Sequence, residues 1–158
     1  MAFTSPVRGI LTVTQGPHHY YVNGKLRQRQ SALDLAPRYP WVKDWTIRAP
    51  HQGKVIKIVT EIPGKRDGYF VLQTPNGDTH YFVHCKIWNK VPLNFKTKQG
   101  GKLGEISKTP VNASAPHLHY YILDKSGRPV NLVAYYEKHG LPFAGWLRNP
   151  LKLFGLSY

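Results

Sequence analysis

The feature that most constrains this chain is how often its apolar runs are interrupted. Short runs rich in Val, Ile, Tyr, Phe and Thr are separated by Gly, Pro and Asn-Gly breaks along its length. β-Branched and aromatic residues fit a pleated, half-buried surface, so the pattern predicts short strands. They fall at Gly9–Thr14, Tyr20–Val22, Ser31–Ala36, Thr46–Ala49, Lys54–Glu61, Tyr69–Gln73, Thr79–Cys85, Lys102–Ile106 and Leu118–Leu123. "TPNGDT" sets Asn76-Gly77 between two of them, a hairpin signal, and "VNGK" at 22–25 gives a second one. The single helix candidate, "VNLVAYYEKHG" (130–140), opens after Pro129 and closes on Gly140, a residue suited to the position just past a helix end. The class is mainly β: an antiparallel sheet or barrel-like domain with one short C-terminal helix. With 158 residues, 41% of them hydrophobic, one domain over 1–158 is expected. Its core spans roughly 8–132, and 133–158 forms an extension whose apolar tail "NPLKLFGLSY" packs back on the domain.

Composition excludes several classes. No stretch approaches the roughly 20 apolar residues of a membrane span. "MAFTSPVRGILTV" lacks the long apolar core of a signal peptide. Cys85, the sole cysteine, can form neither an internal disulfide nor a zinc finger nor a redox pair. Lys and Arg number 22 against 8 Asp and Glu, a net charge of +14. The basic residues are spread out, with "KLRQR" (25–29) and "NFKTK" (94–98) as mild concentrations. Such a surface favours an anionic partner, whether nucleic acid, anionic lipid or a cell-wall polymer, or serves solubility alone.

The chemistry concentrates in "SAPHLHYYIL". On a strand, side chains alternate faces, so His117, His119 and Tyr121 share one face while Leu118, Tyr120 and Ile122 form a core face. Two imidazoles so placed suit a metal site, or a ligand beside a proton shuttle; the plainer reading is a pair of surface histidines. In "THYFVHCK" the same alternation groups His80, Phe82 and His84 against Tyr81, Val83 and Cys85. Asp34 is the only acid among the first 43 residues and sits in "SALDLA" between Leu33 and Leu35, with small Ala32 and Ala36 on its own face. A carboxylate in a buried strand is costly unless paired, protonated or bound to metal. A metal explains it economically, and an ion pair with one of the many cations is the alternative. Histidines with one carboxylate favour zinc over Mg²⁺ or Ca²⁺, which prefer oxygen ligands. Asp34 with one or both of His117 and His119 supplies two or three ligands.

Taken in order, these segments resemble the LytM/lysostaphin-type zinc metallopeptidases, which cut peptide cross-links in bacterial peptidoglycan. "PHLHYYI" looks like that family's H-x-H strand and "YFVHCK" like its tyrosine-x-histidine-leucine segment. "SALDLA" resembles the aspartate-bearing segment, "IRAPHQGKVIKI" the strand after it, and "KTKQGGKLGEISKT" the glycine-bearing loop and strand before H-x-H. The ordered match covers roughly 12–132. It implies Asp34 and His119 as zinc ligands and His84 and His117 as the catalytic pair, with His117 the general base and His84 steadying the oxyanion and the water. It also implies an antiparallel sheet with a groove along one face for an extended peptide.

The chain departs from the family at several positions. The commonest pattern has a histidine four residues before the aspartate, where this chain has Gln30. Some relatives place it upstream across a loop, and "TQGPHHYYVNGKLRQRQSALDLA" resembles those, which makes His19 the expected first ligand and His18 its competitor. Phe82 and Cys85 replace the usual tyrosine and leucine, as core changes, and "SKTPVNASA" lacks the usual glycine–threonine–glycine texture. The expectation is a zinc endopeptidase, extracellular, periplasmic or phage-borne, with peptidoglycan as its anionic partner. The competing expectation is a catalytically inactive relative that binds the wall or activates another hydrolase. A basic β-domain for nucleic acid leaves Asp34 and the histidines unexplained.

Overall fold

The computed structural model of the chain describes residues 3–7, 11–22, 25–37, 44–61, 67–108 and 116–139; for 11–22, 25–31 and Pro37 it describes the backbone alone. The strands are β1 (Leu11–Val22), β2 (Lys25–Pro37), β3 (Thr46–Arg48), β4 (Gly53–Val59), β5 (Gly68–Gln73), β6 (Thr79–Ile87), β7 (Lys96–Thr97), β8 (Lys102–Ile106) and β9 (Leu118–Leu123), followed by helix α1 (Leu132–Lys138). They form one open, antiparallel sheet in the order β1-β2-β9-β6-β5-β4-β7, with β8 joining β6 to β3. The mainly β class with one short helix is therefore what forms. Among the described residues no helix is long and apolar enough to cross a membrane. The tail at 149–158 and Gly140 lie outside the described residues.

Several boundaries differ from the sequence reading for identifiable reasons. The two predicted strands at Gly9–Thr14 and Tyr20–Val22 are one strand, β1, running through Gly16 and Pro17. Proline removes a ladder donor, but β1 is the edge of the sheet and its register slips three times along β2, so the missing donor is tolerated there. The β1–β2 hairpin forms at "VNGK", with Val22 opposite Lys25. The β5–β6 hairpin turns at Asn76-Gly77: the Gly77 N–H donates to the Thr74 carbonyl (2.9 Å), and Gly77 has φ +93°, a conformation glycine adopts without penalty. The helix opens later than the expected position after Pro129: Asn131 caps it, its side chain accepting from the Ala134 N–H at 3.1 Å and satisfying one first-turn donor.

One face of the sheet carries the core. Leu33 and Leu35 from β2, Phe70 and Leu72 from β5, Phe82 from β6 and Leu118, Tyr120 and Ile122 from β9 are all buried. They pack with Leu132, Val133 and Tyr136 of α1 and with Phe3 and Val7 of the N-terminal segment. Phe70 and Phe82 stack at 4.6 Å. Burial of this set fixes which way β2, β6 and β9 face, and so which side chains are left on the opposite face.

Candidate metal and catalytic site

The opposite face presents the polar residues of the same strands. β2 and β9 pair antiparallel with Asp34 directly opposite His119, which brings their β-carbons to about 4.5–5.5 Å on a common face. His119 Nδ1 lies 3.0 Å from Asp34 Oδ1, and His117 Nε2 lies 3.5 Å from Asp34 Oδ2. Asp34 is buried, whereas His117 and His119 are half-buried at the strand entrance. The period-two reading of "PHLHYY" therefore holds: the two histidines face away from a core of Leu118, Tyr120 and Ile122. Tyr121 continues the row, its ring edge-on to His119 at 5.8 Å and stacked on Tyr81 at 4.5 Å.

His84 arrives by a different route, and here the alternation fails. His80 and Phe82 are buried in the core face as grouped, but His84 is not with them. Along β5 the register passes from Tyr69–Val83 to Gly68–Cys85, so His84 is an extra residue, a bulge. Its φ of +63° is left-handed, a region where histidine is tolerated better than most side chains, at a cost of about 1–3 kcal/mol. The cause is topological. β6 runs beside β9 through Val83 and beside β8 from Cys85 onward, so the strand changes neighbour at His84. The bulge turns the imidazole onto the site face and sends Cys85, the next residue, into the core at 2% exposure. The His84 ring stands 5.1 Å from that of His117 and 6.1 Å from that of His119, nearly perpendicular to both. Its Nδ1 lies 2.8 Å from Oδ2 of Asp67, whose side chain is fully buried.

Asp67 is the site residue that sequence reasoning missed. It stands in "KRDGYF", where Asp-Gly reads as turn chemistry, and no local periodicity links it to a histidine seventeen residues on. The one available signal was scarcity, since a chain with 8 acids spends few without purpose.

Part of this donor set fits zinc. Around a tetrahedral zinc with bonds near 2.0–2.1 Å, two donor atoms sit about 3.3 Å apart. The 3.0 Å between His119 Nδ1 and Asp34 Oδ1 is close to that spacing, and an imidazole with a carboxylate is a zinc-type donor pair. These two fit as ligands. Among the described residues no group of three His, Cys, Asp or Glu completes a metal site. The remaining candidates lie in β1. Register places His18 opposite Ala32, two residues before Asp34, while His19 and Gln30 both fall within the irregularity before Tyr20 pairs with Arg27. The side chains of His18, His19 and Gln30 are outside the description.

Two further histidines stand on the core side of the sheet. His80 Nδ1 is 2.7 Å from the Tyr120 hydroxyl, and His51 Nε2 is 2.9 Å from the Tyr135 hydroxyl, with the two imidazoles 5.3 Å apart. Burial, with the nearby His51, pushes the His80 pKa down to about 3.

No family model and no curated protein sequence matches the chain. Solved structures do. A zinc-containing peptidase from Vibrio cholerae superposes with a TM-score of 0.60 at 21% identity, over 82% of this chain and 39% of that one. Lysostaphin, the antimicrobial peptidase from Staphylococcus simulans, gives 0.61 at 17% identity, over 90% of this chain and 57% of its own. A chain of the SpoIIQ–SpoIIIAH pore-forming complex gives 0.65 at 18% identity, over 85% and 90%. The chain thus has the lysostaphin-type peptidase fold, and it spans about 39% and 57% of the two peptidases. That fold also occurs in a pore-forming complex, so activity has to be argued from the side chains.

Proposed function

We propose that this chain, built on the lysostaphin-type peptidase fold, is a zinc-dependent endopeptidase that hydrolyses peptide cross-links of peptidoglycan. The observation that carries the reading is the convergence of three imidazoles and Asp34 on one sheet face, with His119 and Asp34 donor atoms 3.0 Å apart. Asp34, His119 and one of the β1 histidines, His19 or His18, would hold the ion. Bound there, zinc supplies Lewis acidity toward a carbonyl oxygen and lowers the pKa of water. His84 and His117, whose rings adjoin, move the proton of the attacking water and donate to the oxyanion that develops on the scissile carbonyl. The open sheet gives an extended peptide a face to lie on. The net charge of +14 would draw the protein to an anionic wall, in an extracellular, periplasmic or phage-borne setting.

The second reading is a wall-binding or hydrolase-activating module without activity. Gln30, where the commonest pattern has a ligand, favours it, as does the shared fold with a pore-forming complex. Zinc per chain, measured in the wild type and in His18→Ala and His19→Ala, separates the two. About one equivalent in the wild type, lost in one of the variants, is the expected result. Wild-type protein with less than about half an equivalent would sink the enzyme reading. Purified sacculi should release new amino groups on digestion.

A further inference from the structure

Among the described residues, His84 is the only side chain hydrogen-bonded to its buried carboxylate partner, Asp67. Asp67 has no side-chain exposure, and its Oδ1 is buried with no hydrogen-bond partner among the described residues. Burying a half-satisfied carboxylate costs several kcal/mol, and a neutral side chain would fill the same space at lower cost. The backbone around it is nevertheless built to seat it. At Gly68, the next residue, a β-carbon would collide with the Val59 carbonyl oxygen, so β4 and β5 close tightly just beyond Asp67. Gly68 is opposite Cys85, which sets Asp67 beside the His84 bulge. The strained bulge and the buried acid therefore serve one object, the ring of His84.

Resting on the reading above, we propose that Asp67 is the positioning residue of the reaction. By accepting the Nδ1 hydrogen of His84 at 2.8 Å, it holds the imidazole in the tautomer whose Nε2 carries the lone pair, directed at the site. In that tautomer Nε2 takes a proton from water, and once it carries that proton it donates it onward; Nδ1 keeps its hydrogen throughout. This assigns the first proton transfer to His84. His117, with Nε2 3.5 Å from Asp34, is left to orient and to donate to the oxyanion. A carboxylate that fixes an imidazole's tautomer in this way is the orienting member of a nucleophile–base–acid arrangement, and its neutral amide replacement inverts the tautomer.

The test is Asp67→Asn, which keeps the shape. In metal-free protein, ¹⁵N–¹H correlation spectra of the His84 ring should show the Nδ1–H form in the wild type and a shift toward Nε2–H in the variant. Zinc content should stay at the wild-type level and kcat on sacculi should fall about 10²–10⁴-fold with little change in KM. In a His84→Ala background, Asp67→Asn should add no further loss, because both act through the same ring. An unchanged His84 tautomer in Asp67→Asn, or a kcat loss that persists undiminished in the His84→Ala background, overturns the proposal. The tautomer readout needs neither metal nor substrate. A tautomer shift in Asp67→Asn, in a protein whose wild type binds no zinc and digests no sacculi, would overturn the peptidase reading and leave the Asp67–His84 coupling established.

Discussion

The sheet carries two histidine clusters, one on each face, and they differ in what each imidazole is bonded to. On the site face, His84, His117 and His119 meet carboxylates, Asp67 and Asp34, and stay partly open to solvent at 14–17% side-chain exposure. On the core face, His80 and His51 meet the hydroxyls of Tyr120 and Tyr135 and are 1% and 2% exposed. An ionised carboxylate only accepts, so it takes an imidazole N–H, and it can also ligate a metal, whereas a buried phenol donates to or accepts from a ring and offers no comparable ligand. The same residue type on the same strand, four positions apart, thus meets a carboxylate beside two other imidazoles in one place and a buried phenol in the other.

The largest test of this contrast is His119→Ala. It should lose zinc and reduce sacculus digestion to background while thermal unfolding still shows a folded protein; retained zinc would refute the ligand assignment. Next, His84→Ala and His117→Ala should each keep zinc and lower kcat about 10²–10⁴-fold, the range for removing one proton-transfer group. A variant within threefold of wild type would take that histidine out of the chemistry.

The core cluster should answer to acid instead. His80 has a folded pKa of about 3 against an ordinary 6.5, so the folded state refuses a proton that the unfolded chain accepts. Its contribution is present above pH 6.5 and is lost as pH falls toward 3, by up to about 1.4 kcal/mol per pH unit within that window. Denaturant titrations at several pH values should show a shallower acid slope for His80→Gln than for the wild type, with activity per folded molecule unchanged. Equal slopes would mean that other groups set the acid limit. The smallest effect belongs to Tyr120→Phe, which strips the partner from buried His80 and should cost about 1–3 kcal/mol of stability with zinc content intact.

What was legible beforehand divides along the same line. In β9 the strand is regular, so alternation placed His117, His119 and Tyr121 correctly and put Leu118, Tyr120 and Ile122 in the core. Asp34 stood out because an acid flanked by leucines is expensive, and the structure gives it two imidazole neighbours. The grouping of His84 with His80 and Phe82 was wrong. Alternation assumes an unbroken ladder, and β6 exchanges β9 for β8 at that residue. Expectations for His18 and His19 rest on side chains outside the description; only the register of His18 with Ala32 bears on them.

The sequence by itself determined most of the strands, the class of fold and the core side of β9, because side-chain alternation and turn chemistry are local; it missed β7 and split β1 in two. It also supplied the ordered motifs behind the lysostaphin-type likeness that superposition then showed. Only the tertiary structure decided which face His84 serves, that Asp67 is its partner, and that His80 and His51 belong to the core. Those facts depend on which strands lie side by side, and pairing between distant segments leaves no periodicity in either one.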